Sequence, residues 1–125
     1  MTKTIKTDLA EVYMKEGVLY THYTPIEATL EQTKELIAAI KEEFKAELPV
    51  LSLSFIKDVK SSKKEVRSYL ASEEVTTLTI ASAMITGGGL SKIVGNLFIN
   101  FSKLSIPTKL FSDEGKALEW LAQYK

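Results

Sequence analysis

The chain has 125 residues, with 16 basic and 16 acidic side chains, one His and no Cys. That length leaves room for one core and predicts a single domain over 1–125. Without Cys there is no disulfide, thiolate–metal or Cys-nucleophile chemistry, and a lone His removes any site that needs two imidazoles. Zero net charge supplies no electrostatic grip on nucleic acid, and 45% hydrophobic with 26% charged residues is an ordinary globular composition.

The first ten residues contain Lys3 and Lys6 but no apolar run of signal-peptide length, and no stretch approaches the ~18 apolar residues of a spanning helix. A cytoplasmic protein without a membrane span is expected. Between Leu9 and Tyr23, two segments rich in Val, Leu and Tyr flank Lys15-Glu16-Gly17, which predicts a hairpin turning at the glycine. Leu30, Thr33, Ile37, Ile40 and Phe44 then recur at helical spacing. Both Thr24 and Thr29 fit a capping box at the start of that helix, and Thr29 is preferred. After Pro49, the run Val50 to Ile56 reads as a buried strand. A helix from Ser62 to about Ala71 follows, with Ser62 and Glu65 in a capping-box pattern. Val75 to Thr86, with seven β-branched residues, reads as another buried strand ending at Gly87-Gly88-Gly89. A helix is expected from Leu90, an edge strand at Ile106–Phe111, and a last helix opened by Ser112-Asp113-Glu114. The order β-β-α-β-α-β-α-β-α predicts an α/β fold with a mainly parallel five-stranded sheet and an antiparallel N-terminal strand.

Several stretches, TLEQTKELI, VRSYLAS, LSKIVGNLFINF and above all PTKLFSDEGKALEWL, resemble STAS domains. These are typified by the bacterial anti-sigma factor antagonists of SpoIIAA-like fold, and SEC14-type lipid carriers share the fold in outline. The similarity is closest to small bacterial STAS/SEC14-like proteins and spans nearly the whole chain. It implies a SpoIIAA-like fold and a choice between two functions, a protein-interaction module or a carrier.

Between Lys57 and Arg67 five basic residues stand against two acidic ones. STAS antagonists carry Asp-Ser-Ser-Gly in the corresponding loop, with a phosphorylatable Ser, so the resemblance matches Ser61 and Ser62 to that pair. Lys60 stands in place of the Asp and Lys63 in place of the Gly. From the residues alone, Ser62 is a helix cap among solvated lysines, a modified Ser whose phosphate the lysines would welcome, or part of an anion or acidic-partner surface. Lys60, Lys63, Lys64 and Arg67 complete that surface, Arg67 being the one Arg of the chain and able to hold a carboxylate in a bidentate fork. Gly87 to Gly89 lack the spacing of a phosphate cradle and read as a permissive turn. On a helical wheel from Leu90, Phe98 lies at the margin of the apolar face and Ile99 opposite it, beside a small-residue strip containing Gly95. Gly95, Phe98 and Ile99 are therefore the candidates for an apolar ligand or an interface. His22 has no triad or paired-carboxylate partner recognisable in sequence, and catalysis is not expected of it.

The expected function is a non-enzymatic STAS-like interaction or regulatory module, with no cofactor or metal, a protein partner, and Ser phosphorylation as its switch. The alternative is a SEC14-like carrier of a lipid or other small apolar ligand. Six acidic and three basic residues between Glu27 and Glu47 complement the basic segment, so a weak homodimer is expected. An unpaired outer hairpin strand and Ile99 would supply its dry contact.

Overall fold

The computed structural model describes residues 3–57, 59, 63–86 and 105–125. Six strands form one sheet in the order β1-β2-β3-β4-β5-β6. They are β1 (Thr4–Lys6), β2 (Ala10–Lys15), β3 (Val18–Tyr23), β4 (Val50–Phe55), β5 (Thr79–Ile85) and β6 (Thr108–Phe111). The β1–β2 and β2–β3 pairs are antiparallel, and the three remaining pairs are parallel. The helices among the described residues are α1 (Leu30–Glu43), α2 (Lys64–Leu70), α3 (Glu73–Thr76) and α4 (Glu114–Ala122).

The expected α/β class, mainly parallel sheet and antiparallel N-terminal region are all present, but the sheet has six strands where five were expected. The added strand, β1, is three residues long, too short to display a period in sequence. A turn makes it possible: Thr7 Oγ1 accepts from the backbone N–H groups of Leu9 and Ala10 at 3.1 and 3.2 Å, folding Ile5 back opposite Val12. The outer hairpin strand β2 is thereby paired, so the edge expected to support a homodimer is occupied by the chain itself. The new edge is short and presents Lys6, which discourages further pairing.

The hairpin turn is where expected. Glu16 and Gly17 take φ of 50° and 82°, so two consecutive left-handed residues set the register Tyr13↔Tyr20 and Lys15↔Val18. Helix α1 starts after Thr29, whose Oγ1 accepts from Gln32 N while Thr29 N donates to Gln32 Oε1, each at 3.0 Å.

Two boundaries differ from expectation. Helix α2 begins at Lys64 with Lys63 in the cap position and no side-chain cap hydrogen bond, in place of a start at Ser62 with a capping box. An ammonium has no lone pair with which to accept from the free N–H groups. The expected strand from Val75 opens instead as α3, because Thr76 and Thr77 turn their hydroxyls back onto the carbonyls of Ser72 and Glu73 at 3.1 and 2.7 Å. Such local bonds offset the poor helix propensity of threonine, which the count of β-branched residues had read as strand.

Side-chain alternation divides the sheet into two buried faces. On one, α1 lays Leu36, Ile37, Ile40 and Phe44 over Val12, Leu19 and Val50. On the other, Ala117 and Leu121 of α4 pack on Leu51, Leu53, Ala81 and Ala83, the alanines leaving space for the helix to approach. Asp113 caps α4 by accepting from Gly115 N at 2.7 Å and Lys116 N at 3.4 Å. Three helices meet at one carboxylate. Glu74 of α3 accepts from Tyr69 Oη of α2 at 2.7 Å and from Lys41 Nζ of α1 at 3.2 Å.

Two predictions follow from the packing. Leu53 has 0% exposure, and Leu53→Ala is expected to cost about 2–5 kcal/mol in urea unfolding, through lost burial and an unfilled cavity. The Tyr69 hydrogen bond, with Lys41 beside it, holds the Glu74 carboxyl below its ordinary 4.5. The Tyr69 phenol is pushed up to about 12, by desolvation first and then by Glu74. Because the folded carboxyl is the depressed one, the contribution of the clamp is complete above the unfolded Glu value and is lost as pH falls through the folded one. A carboxyl-detected NMR titration should place Glu74 below the other exposed glutamates, and Tyr69→Phe should move it back up.

Candidate functional site

Strands β3 to β6 run parallel, so their C-terminal ends lie on one rim of the sheet, where the loops of such folds gather binding groups. Lys57 follows β4 directly on this rim, and the chain re-enters at Lys63 and Lys64, the start of α2. Both lysines are exposed, and among the described residues neither has an ion pair. Arg67, one helical turn on, is half-buried and already engaged in an interaction. The Glu74 clamp fixes the direction in which α2 leaves the rim. Lys60, Ser61 and Ser62 lie outside the described residues, as do Gly87 to Gly89 and the expected helix from Leu90 with Gly95, Phe98 and Ile99.

Beside the rim, on the α4 face, stands an aromatic row that sequence reading did not single out. The His22 and Phe55 rings stack with centroids 4.2 Å apart and planes 4° from parallel. Tyr13 stacks on His22 at 5.5 Å and on Tyr20 at 5.2 Å. Tyr13 Oη and His22 Nε2 are 2.9 Å apart, a hydrogen bond whose donor depends on the imidazole tautomer. Desolvation and the nearby Glu114 carboxylate raise the Tyr13 and Tyr20 phenols, so both stay protonated at neutral pH. An open depression of about 620 Å³ borders the row, lined by Lys6, Glu11, Tyr13, His22 and Thr24. The signal for this row was available in the turn: once Glu16-Gly17 sets the hairpin register, Tyr13, Tyr20 and His22 fall on one face. The chemistry is that of a packed, hydrogen-bonded surface. With a raised pKa a phenol supplies even less phenolate for attack at neutral pH, and the imidazole is already partnered.

The opposite face holds a second space, a cavity of about 130 Å³ between the sheet and the helices α1, α2 and α3. Its floor is the α1 side of β3 to β5, where Thr21, Ser52, Ser54 and Ser82 stand in adjacent strands, and its walls include Ile37, Ile40, Leu70 and Val75. Among the described residues no cluster of three or more His, Asp or Glu side chains is placed to hold a metal ion, and no helix is long and apolar enough to cross a membrane.

The crystal structure of an uncharacterized protein of the DUF3478 family from Shewanella loihica PV-4, with a SpoIIAA-like fold, is similar to this chain with a TM-score of 0.59. The likeness covers 97% of this chain and 92% of that one at 13% sequence identity, which establishes the SpoIIAA-like fold and nothing finer. No curated protein sequence matches. The family described as "Domain of unknown function (DUF7793)" matches residues 12–125, and the chain belongs to that family.

Proposed function

We propose that the chain is a non-enzymatic protein-interaction module whose contact surface is the basic segment that runs in sequence from Lys57 and Lys60 through Lys63 and Lys64 to Arg67. The observation that supports this reading most is the pair Lys63 and Lys64, exposed and without an ion pair among the described residues where β4 hands over to α2. An acidic partner would find there two ammonium groups whose charge nothing in the described fold offsets. Phosphorylation of Ser61 or Ser62 would place a dianion among these lysines and cancel the attraction, which gives the surface its switch. A weak homodimer through the acidic α1 segment is the self-complementary version of the same contact.

Charge reversal at Lys60, Lys63 and Lys64 should slow association with a protein partner captured by crosslinking from the native source, and should reduce its salt dependence, while far-UV circular dichroism stays unchanged. Unaltered association after the triple reversal contradicts the reading. Native mass spectrometry of the same material should show added phosphate if the switch operates.

The second reading, a carrier, draws support from the cavity on the α1 face. At about 130 Å³ that space is well below the roughly 300–1,000 Å³ of drug-sized ligand pockets, so the described residues favour a small ligand over an acyl chain.

A further inference from the structure

Strand β6 is the last strand of the sheet, and β5 occupies one of its sides. Ser82 of β5 and Thr86 just after it donate their N–H groups to Pro107 O and Phe111 O, each at 2.9 Å. Backbone groups alternate in direction along a strand, so the N–H and C=O of Thr108 and Leu110 face away from β5. Among the described residues no strand pairs with that side. Such a row of backbone groups is a template for another strand.

Beside this edge stands a strip of aromatic and basic side chains. Lys109 and Phe111 lie on the α4 side of β6, opposite Ala83 and Ile85. The Phe111 ring meets Trp120 of α4 with centroids 5.7 Å apart, and Trp120 meets Tyr124 edge-on at 5.2 Å. Ala117 and Leu121 of the same helix are fully buried against the sheet, whereas these three aromatics are half-buried, on the flank that α4 turns toward β6. Lys116 precedes Trp120 by one helical turn and borders the strip. Lys109 and Lys116 are exposed, and among the described residues neither has an ion pair. Lys109 Nζ instead lies 5.5 Å from the centre of the Phe111 ring. Trp and Tyr are the aromatic side chains that most often dominate the energy of a protein interface.

The charges decide which strand fits. At the other edge of the sheet, Lys6 of β1 is already engaged with Glu11 at 3.7 Å, whereas Lys109 is open to a counter-charge. The fullest antiparallel pairing of two copies of β6 about a two-fold axis would set Lys109 opposite its own copy, and like charges directly opposed disfavour a strand pair. A carboxylate in that place is attracted. Two residues along an added strand the side chain lies on the same face again, where Phe111 and Trp120 offer it an apolar wall.

We infer that the free edge of β6 takes an extended acidic peptide as an added strand, with Asp or Glu opposite Lys109 and, two residues away, a large apolar side chain against Phe111 and Trp120. This surface is separate from the basic segment between Lys57 and Arg67 and does not depend on it.

Random seven-residue peptides displayed on phage and selected against the full chain test the inference. Enriched sequences should carry an acid two residues from an aromatic or large aliphatic residue, and the synthetic peptides should shift the amides of Thr108 to Phe111 and slow hydrogen exchange at Thr108 and Leu110. Methylating alternate peptide nitrogens should abolish binding in one of the two alternating sets and be tolerated in the other, a signature that side-chain docking alone lacks. Lys109→Glu, at an exposed position, should weaken the acidic peptides roughly 5-fold and favour peptides with Lys in place of the acid, and Trp120→Ala should weaken both. The inference is overturned if no peptide is enriched, if the enriched peptides lack an acid or leave Thr108 to Phe111 unmoved, if both methylation patterns are tolerated, or if Lys109→Glu keeps the acidic preference. Concentration-dependent shifts of the same amides without peptide, from pairing of two copies, would also overturn it.

Discussion

Strand β4 carries the constraint on which the other elements depend. It pairs in parallel with β3 on one side and β5 on the other, and both of its faces are covered, so each of its residues must suit a different neighbour. Its alternation, Val-Leu-Ser-Leu-Ser-Phe, meets that demand unequally. Leu51 and Leu53 point to α4 and are locked against Ala81, Ala83 and Leu121, whereas Ser52 and Ser54 point to the α1 side and line the cavity there. Phe55, at the end of the same strand, closes the aromatic row against His22. The α4-face core, the hydroxyl floor and one end of the aromatic row are consequences of this single six-residue strand.

The two faces are thereby given different physical characters. The α4 face is filled: leucines and alanines meet at close approach, and the aromatic row extends that packing toward the hairpin. On the α1 face, Leu36, Ile37 and Phe44 descend on Val12 and Leu19. Further across, polar side chains of the sheet lie under apolar helix walls.

Much of the fold was legible because the relevant signals are local. The Glu16-Gly17 turn, the Thr29 and Gln32 capping box and Asp113 before α4 each act within a few residues, and each is found where the sequence placed it. The misses have equally local causes. Strand β1 is too short for periodicity, Lys63 took the cap position expected of Ser62, and Thr76 and Thr77 used their hydroxyls to begin a helix that their β-branching disfavours. The candidate sites were less legible. Lys63, Lys64 and Arg67 announced themselves as a charge cluster, but the aromatic row depends on pairing across β2, β3 and β4, and the hydroxyl floor on pairing across β3, β4 and β5. Within the predicted buried strand Val50 to Ile56, Ser52 and Ser54 carry no signal of their own until Thr21 and Ser82 stand beside them.

The central claim is that β4, paired on both sides and covered on both faces, is the element on which the others depend, and the most direct measurement is native-state hydrogen exchange of its backbone amides. The amides of Leu51 to Phe55 should exchange only through global unfolding, with an opening free energy equal to that of the whole chain. Exchange of these amides through a local opening, at a lower free energy than those of β2 or α4, would contradict the account.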